Sequence, residues 1–464
     1  MPRPGTAVTF SAPAVEELVA QARLGGKVSF VVVDARTGQV LESRNPGLSL
    51  PPASVTKAIT ALYAIDALGE NFRYRTEFVA TGPMVDGVVQ GDLVLTGSGD
   101  PMLDTDALSA MVARLKAKGV TGVTGAFRVF AGALPYIRSI DPRQPDHVGY
   151  NPAISGTNLN FNRVHFQWQR ADAGWQVSMD ARSATLRPAV TVSRMAVVNR
   201  DMPTYTYSTA QGVDEWTVAA AALGNGGSRW LPVRRPDLYA GEVTQVIAQA
   251  YGIRLPAPQV TEQVVEGGRV LVSHESAALK TIVRLMLKHS TNLTAEVIGL
   301  TATAARGAAA DSLEASAQAM TDWMRDQTGT TTARFVDHSG LSDLSRVSAA
   351  DMVKLLVKVG PGSTLHSQLK EIAPLDMKGE ELTGAGYRIH AKTGSLNFVS
   401  SLAGYVTGPG DAALAFAVFS GDTDRRATIA RDDMERPDGA RPWARRARWL
   451  QHQFIHRWSS LYSA

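Results

Sequence analysis

Three short strings of residue types could together acylate and deacylate a serine. Ser54-Val55-Thr56-Lys57 places a hydroxyl three residues before an amine, and Ser290-Thr291-Asn292 pairs a second hydroxyl with a carboxamide. Lys392-Thr393-Gly394 sets a cation beside a glycine turn. A serine attacks a carbonyl only when a base takes its proton, and a lysine is a base only as the neutral amine. Burial of Lys57 and the nearby charge of Lys392 would both push its pKa down. In such a set Ser290 relays a proton to the departing amine and Asn292 holds a substrate amide. Lys392, Thr393 and Ser395, at the Gly394 turn, bind a terminal carboxylate. The backbone N–H groups of Ser54 and Ser395 would form the oxyanion hole.

Each string alone has an ordinary explanation. Ser54 follows Pro51-Pro52 and could simply cap a helix, and Ser290 could cap another. A second Ser-x-x-Lys occurs at Ser367–Lys370, and Ser-x-Asn is matched again at Ser395–Asn397. Only Lys-Thr-Gly is unique. The rival Ser-x-x-Lys has no Ser-x-Asn and Lys-Thr-Gly following it in order, whereas Ser54 does. The ordered trio is that of class A β-lactamases and penicillin-binding proteins. His289, His338 and His390 flank the motifs without zinc-site spacing and no His-Glu-x-x-His occurs. They are expected to serve as hydrogen-bonding or surface residues, and no metal or cofactor is expected.

The elements that must carry these residues are legible in outline. Val28–Asp34 and Gln39–Glu42 flank a Thr37-Gly38 turn and suggest a hairpin, and Ser54–Leu68 has helical apolar spacing, with Ser54 and Lys57 on one face of its first turn. From about Arg73 to Gly268 short β-rich runs alternate with Gly, Pro, Asn and Asp, interrupted by two helices at Ala107–Lys118 and Val243–Tyr251. Helical texture returns at Ala277–Lys288, Leu293–Ala305 and Ser312–Thr328. Tyr387–Thr393, Ser400–Thr407 and Ala412–Phe419 then suggest an antiparallel meander. Trp443, Ala447, Leu450, Phe454 and Trp458 form one helix face, expected to pack on that sheet although the helix also carries Arg445, Arg446, Arg448 and Arg457.

Bulk properties narrow the function classes. With 464 residues the chain has room for two or three domains. Its net charge of +4 is small and scattered, which argues against nucleic acid and allows an anionic polymer. There is no cysteine, so disulfides, thiolate catalysis and Cys-ligated zinc are excluded. No apolar run approaches a membrane span, so membrane association is expected to be weak or absent. Met1–Gly5 lacks a signal-peptide layout, and the expectation is a periplasmic protein whose signal has been removed.

Beyond the trio, Gly91-Asp92-Leu93 with Gly97-Ser98-Gly99-Asp100-Pro101, the stretch Asp337–Ser342, and Ala391–Leu396 running into Leu402-Ala403-Gly404-Tyr405-Val406 carry a closer resemblance. The chain resembles the class C low-mass penicillin-binding proteins, D-alanyl-D-alanine carboxypeptidases/endopeptidases of the serine peptidase S13 type. That resemblance implies an α/β (α+β) fold: a penicillin-binding-protein/β-lactamase-like antiparallel sheet flanked by helices, with two inserted mixed or mainly β domains. The long interval 58–289 between the first two motifs suits those insertions. The implied division is 1–72 with 272–464 as catalytic domain, 73–155 with 230–271 as inserted domain II, and 156–229 as inserted domain III.

The resemblance further implies action on peptidoglycan stem peptides and covalent acylation by β-lactams. It makes Asp146, in Pro145–Pro152, a candidate for a diaminopimelate amine and Arg346 a candidate for its carboxylate. Two alternatives remain open: a β-lactamase or esterase on the same scaffold, and a catalytically idle wall-binding protein.

Overall fold

A computed structural model describes residues 13–462 apart from 173, 377, 410 and 411; Met1–Gly5 lies outside them. The chain divides into two compact units. The first holds the chain through Ala58, Met324–Arg334 and everything from Asp343 onward; the second holds Ile59–Trp323 and Phe335–Ser342.

The first unit is built on a six-stranded sheet. Its strand order is Lys370–Ile372, Arg388–Leu396, Val399–Thr407, Ala413–Gly421, Lys27–Asp34 and Val40–Arg44, every neighbouring pair antiparallel. The expected hairpin and three-strand meander are both present. Ala413–Gly421 is buried at every residue and Val399–Thr407 at every residue but Thr407. A strand covered on both faces has no solvent side, which is why Ala413–Phe419 reads as a continuous apolar run rather than an alternating one.

One cover is the helix Ala440–Tyr462, whose Trp443, Ala447, Leu450, Phe454 and Trp458 are buried together with Phe30, Val32 and Phe416. The Phe454 and Trp458 rings lie 4.7 and 5.4 Å from Phe30. The apolar stripe is therefore used inside the protein, and its Arg457 is held by Glu42 at 2.7 Å. The other cover is the helix Ala349–Val359, which the residue patterns did not single out; the Tyr405 hydroxyl donates to its Leu356 carbonyl at 2.7 Å. Among the described residues no helix is long and apolar enough to cross a membrane.

The second unit contains a five-stranded mixed sheet in the order Pro258–Thr261, Phe127–Phe130, Leu93–Gly97, Arg75–Ala80, Arg269–Glu275. The first three strands are mutually parallel, with helices Thr105–Ala117 and Pro236–Ala250 in the connections between them. Two three-stranded sheets come from residues 163–232. Leu93, Leu95, Phe127 and Val129 share one continuous apolar core with Phe166, Trp216 and Leu231. The helices Leu279–His289, Asn292–Ala305 and most of Leu313–Thr328 also belong to this unit. The result is a mixed α/β protein with antiparallel and mixed sheets flanked by helices, as the family resemblance implies.

Candidate active site

Ser54 sits in a single 3₁₀ turn, Ala53–Val55, that leads directly into the helix Thr56–Leu68. The turn is sharp because Ala53 adopts φ 47°, a left-handed conformation unusual for a residue with a side chain. One helical turn on, Lys57 is fully buried, and its Nζ donates to Ser54 Oγ at 2.9 Å. Ser54 itself remains partly accessible. A hydroxyl within hydrogen-bond reach of a sequestered amine is the arrangement that an activated serine needs.

The strand Arg388–Leu396 backs onto this turn. A Cβ built on Gly394 would stand 2.6 Å from Pro52 O and 3.0 Å from Ser54 N, so the strand reaches the serine only because residue 394 has no side chain. Ser401 on the next strand donates to Pro51 O at 3.3 Å and ties the same segment from the sheet side. Lys392 is 3% exposed, with Nζ donating to Thr393 O at 2.8 Å. Burial, then the charges of Lys57 and Lys370, hold its pKa well below the ordinary lysine value. Lys370 ends up here because Lys370–Ile372 pairs with Ile389–Ala391. The rival Ser-x-x-Lys thus contributes its lysine to the field at Lys392, while its Ser367 only donates to Thr364 O. Past Ala391 that flanking strand ends, leaving Lys392–Leu396 at a sheet edge, with Thr393 and Ser395 exposed. Ser54, Lys57, Lys392 and Gly394 are brought together in this unit.

Ser290 and Asn292 belong to the second unit. Two helices, Leu279–His289 and Asn292–Ala305, meet at Ser290. Ser290 is in the left-handed region, φ 57° and ψ 39°, which closes the first helix without the usual glycine. The Asn292 carboxamide donates to Tyr150 O at 2.9 Å. That carbonyl belongs to a loop in which Asp141 takes hydrogen bonds from Arg143 and Gln144, and Arg143 also donates to Ser342 at 3.0 Å.

Of the two candidates for a diamino-acid side chain, Asp146 lies 3.5 Å from Arg138, and its carbonyl accepts from Arg234 at 2.7 Å. Arg346 is in the first unit, and its guanidinium folds back onto the carbonyls of Asp343 and Ser345. A ligand on either residue would have to share these partners.

Three residues that the motifs do not include form bonds within the second unit. Glu296, one turn after Asn292, is fully buried and accepts the backbone N–H groups of His338 and Ser339 at 2.8 and 2.9 Å. Thr60, on the helix after Ser54, donates to His338 O at 2.6 Å. Tyr150 supplies the Asn292 acceptor. In the sequence Glu296 shows only as the one charged residue of the helix Asn292–Ala305. His338 is no base for a serine: burial drops its pKa to about 3, and its Nε2 is bonded to Ser316 at 2.7 Å.

Comparison with known proteins places the chain in a family. The D-Ala-D-Ala carboxypeptidase 3 (S13) family matches residues 11–437. A D-alanyl-D-alanine carboxypeptidase from an Actinomadura species is 28% identical over 90% of this chain and 82% of its own length. A D-alanyl-D-alanine carboxypeptidase, DacB, of Haemophilus influenzae is 23% identical over 89% of this chain and 90% of its own. The crystal structure of penicillin binding protein 4 from Haemophilus influenzae superposes with a TM-score of 0.76 at 19% identity, covering 97% of this chain and all of that one, and a further structure of it holds a β-lactam. The chain belongs to the D-Ala-D-Ala carboxypeptidase 3 (S13) family of serine peptidases.

Proposed function

We propose that this chain is a serine DD-peptidase that removes terminal D-Ala from peptidoglycan stem peptides, or cuts D-Ala cross-links, through an acyl-enzyme on Ser54. The observation that carries this is the 2.9 Å contact between the buried Lys57 amine and the Ser54 hydroxyl, at a turn against which the Lys392–Gly394 strand is packed. Lys57 takes the hydroxyl proton as Oγ bonds to the D-Ala carbonyl carbon. The C–N bond then breaks, and the proton passes to the departing amine through Lys57 and Ser290. Water repeats the sequence to release the shortened peptide. Lys392, Thr393 and Ser395 take the terminal carboxylate at the Gly394 turn, Asn292 takes a backbone amide, and Asp146 and Arg346 take the ends of a diaminopimelate side chain. An anionic carboxylate beside Lys392 would offset the repulsion between Lys370 and Lys392.

The same site should accept β-lactams as strained acyl donors, as in the family relative whose structure holds one. In this reading 1–72 with 272–464 is the catalytic domain, and the sheets of 73–155/230–271 and of 156–229 are two insertions. The enzyme acts on a substrate outside the cytoplasmic membrane, in the periplasm. Intact-mass spectrometry after penicillin exposure tests the assignment: one adduct on the wild type, mapped to Ser54, and none on Ser54→Ala. Equal labelling of both proteins would sink it.

A further inference from the structure

A cleft of about 480 Å³ opens in the second unit, built without any of the candidate catalytic residues. Its position is set by topology. Leu93–Gly97, Phe127–Phe130 and Pro258–Thr261 run parallel, and the cleft is lined by residues at the carboxyl ends of two of them: the loop Ala131–Tyr136, and Val260 with Glu262. The amino end of the helix Pro236–Ala250 supplies Arg235 and Asp237. In open α/β sheets the crevice beyond the carboxyl ends of parallel strands is where ligands bind, because loops diverge there and helix amino ends converge. The volume lies in the range of small-molecule sites.

The walls are held in place. Gly132 and Gly156 bring the loop into backbone contact with its neighbours: a Cβ on Gly132 would be 3.0 Å from Glu262 O, and one on Gly156 would be 2.5 Å from Ala131 O. The Tyr136 hydroxyl donates to Arg234 O at 2.9 Å, and the buried Arg234 guanidinium donates in turn to the carbonyls of Arg138, Asp146 and Asn151. Asp237 is 6% exposed and stands 3.4 Å from Arg235 Nε. Arg235 has four further N–H donors, and Glu262 is exposed at the rim.

Asp237 is taken up by Arg235 Nε and by the Leu238 N–H, so the charges that face a ligand are the outer Arg235 donors and Glu262. The outer Arg235 donors and the helix amino end favour a carboxylate, and Glu262 favours an ammonium. A purely anionic ligand would meet the Glu262 carboxylate, and a purely cationic one would meet the guanidinium and the helix dipole. Leu134 and Val260 give the cleft an apolar wall that would meet a small apolar side chain. We propose that this cleft is a second binding site, taking the zwitterionic form of a short peptide or amino acid, with its carboxylate at Arg235 and its ammonium at Glu262. The proposal stands independently of Ser54 being the nucleophile.

The test is ligand-observed NMR titration of full-length protein with alanyl-alanine, its N-acetyl form and its C-terminal amide. The protein is first acylated with penicillin so that Ser54 is occupied; if it does not acylate, the Ser54 assignment fails and the titration is run on Ser54→Ala. Saturable binding of the free dipeptide is expected, at least tenfold weaker when either end is blocked. The same loss is expected in Arg235→Gln and in Glu262→Gln, the latter an exposed change that leaves folding intact. Absence of saturable binding, equal binding of the three ligands, or wild-type affinity in Glu262→Gln would overturn the proposal.

Discussion

The Lys57 amine lies 2.9 Å from the Ser54 hydroxyl, and Lys57 is completely withdrawn from water while Ser54 is not. The asymmetry comes from the local fold. A left-handed Ala53 ends the preceding segment, a 3₁₀ turn presents Ser54, and the next helical turn carries Lys57 into the interior. The chemistry open to this pair is a proton passed between two side chains three residues apart.

Replacing that amine while keeping the stem isolates its role. Lys57→Met should lower the rate of penicillin acylation by roughly 10²–10⁴-fold, the usual contribution of a positioned general base. The melting temperature should stay level or rise, since a buried amine is exchanged for an apolar chain of similar length. Stopped-flow acylation and thermal unfolding of the same preparation check both halves. A variant that acylates at the wild-type rate would remove Lys57 from the mechanism.

Gly394→Ala adds one methyl group where none fits. Backbone atoms of Pro52 and Ser54 stand 2.6 and 3.0 Å from the new Cβ, and backbone cannot rotate aside as a side chain can. The strand must move off the serine turn, costing about 1–3 kcal/mol as overpacked sites do. Acylation should slow at least tenfold, and the melting temperature should drop by a few degrees. A lowered melting temperature with wild-type acylation would mean that the strand's approach to Ser54 is structural only.

Legibility in the sequence depended on range. Ser54 and Lys57 interact within one helical turn, so a tetrapeptide contains their geometry. The meander at 388–421 was legible from strand-like runs separated by tight turns, and the stripe from Trp443 to Trp458 from its helical spacing. Lys370 was not, since its effect on Lys392 arises from strand pairing across the intervening loop. Glu296 reads as an ordinary helix charge until His338 and Ser339, more than forty residues away, are found donating to it. The cleft beside Arg235 was invisible for the same reason: its parallel strands are separated by the whole of 131–257.

His338 gives a stability prediction with a definite sign. It is fully buried, its Nε2 sits in a chain running through Ser316 and Thr303 to Tyr63, and its pKa falls from 6.5 to about 3. The unfolded chain therefore binds a proton below pH 6.5 that the folded protein refuses until about pH 3. Stability from this group is fully present above 6.5 and is lost progressively as pH falls towards 3, by an amount on the order of 5 kcal/mol at most. NMR should show the His338 ring not titrating between pH 7.5 and 5. A midpoint near 6.5 in the folded protein would contradict the burial argument.

In the proposed mechanism Lys392 sets the alkaline side of activity. Burial and the charges of Lys57 and Lys370 make its ammonium easier to deprotonate than an ordinary lysine with pKa 10.5, so the cation proposed to receive a substrate carboxylate is lost at a lower pH than usual. A carboxylate bound beside it favours the charged form, so binding should be accompanied by proton uptake once the free enzyme has begun to lose that proton. As pH rises, KM for a carboxylate-bearing peptide should increase before kcat falls, whereas an ester or amide lacking the carboxylate should show a flatter KM. Lys370→Gln removes one of the two repelling charges and should move the rise in KM to higher pH. Lys370 makes no contribution to the proposed proton path, so its kcat at neutral pH should stay within about twofold of wild type, the scatter expected for a surface change. If Lys370→Gln left the KM profile unmoved, the field at Lys392 would have to come from burial and Lys57 alone.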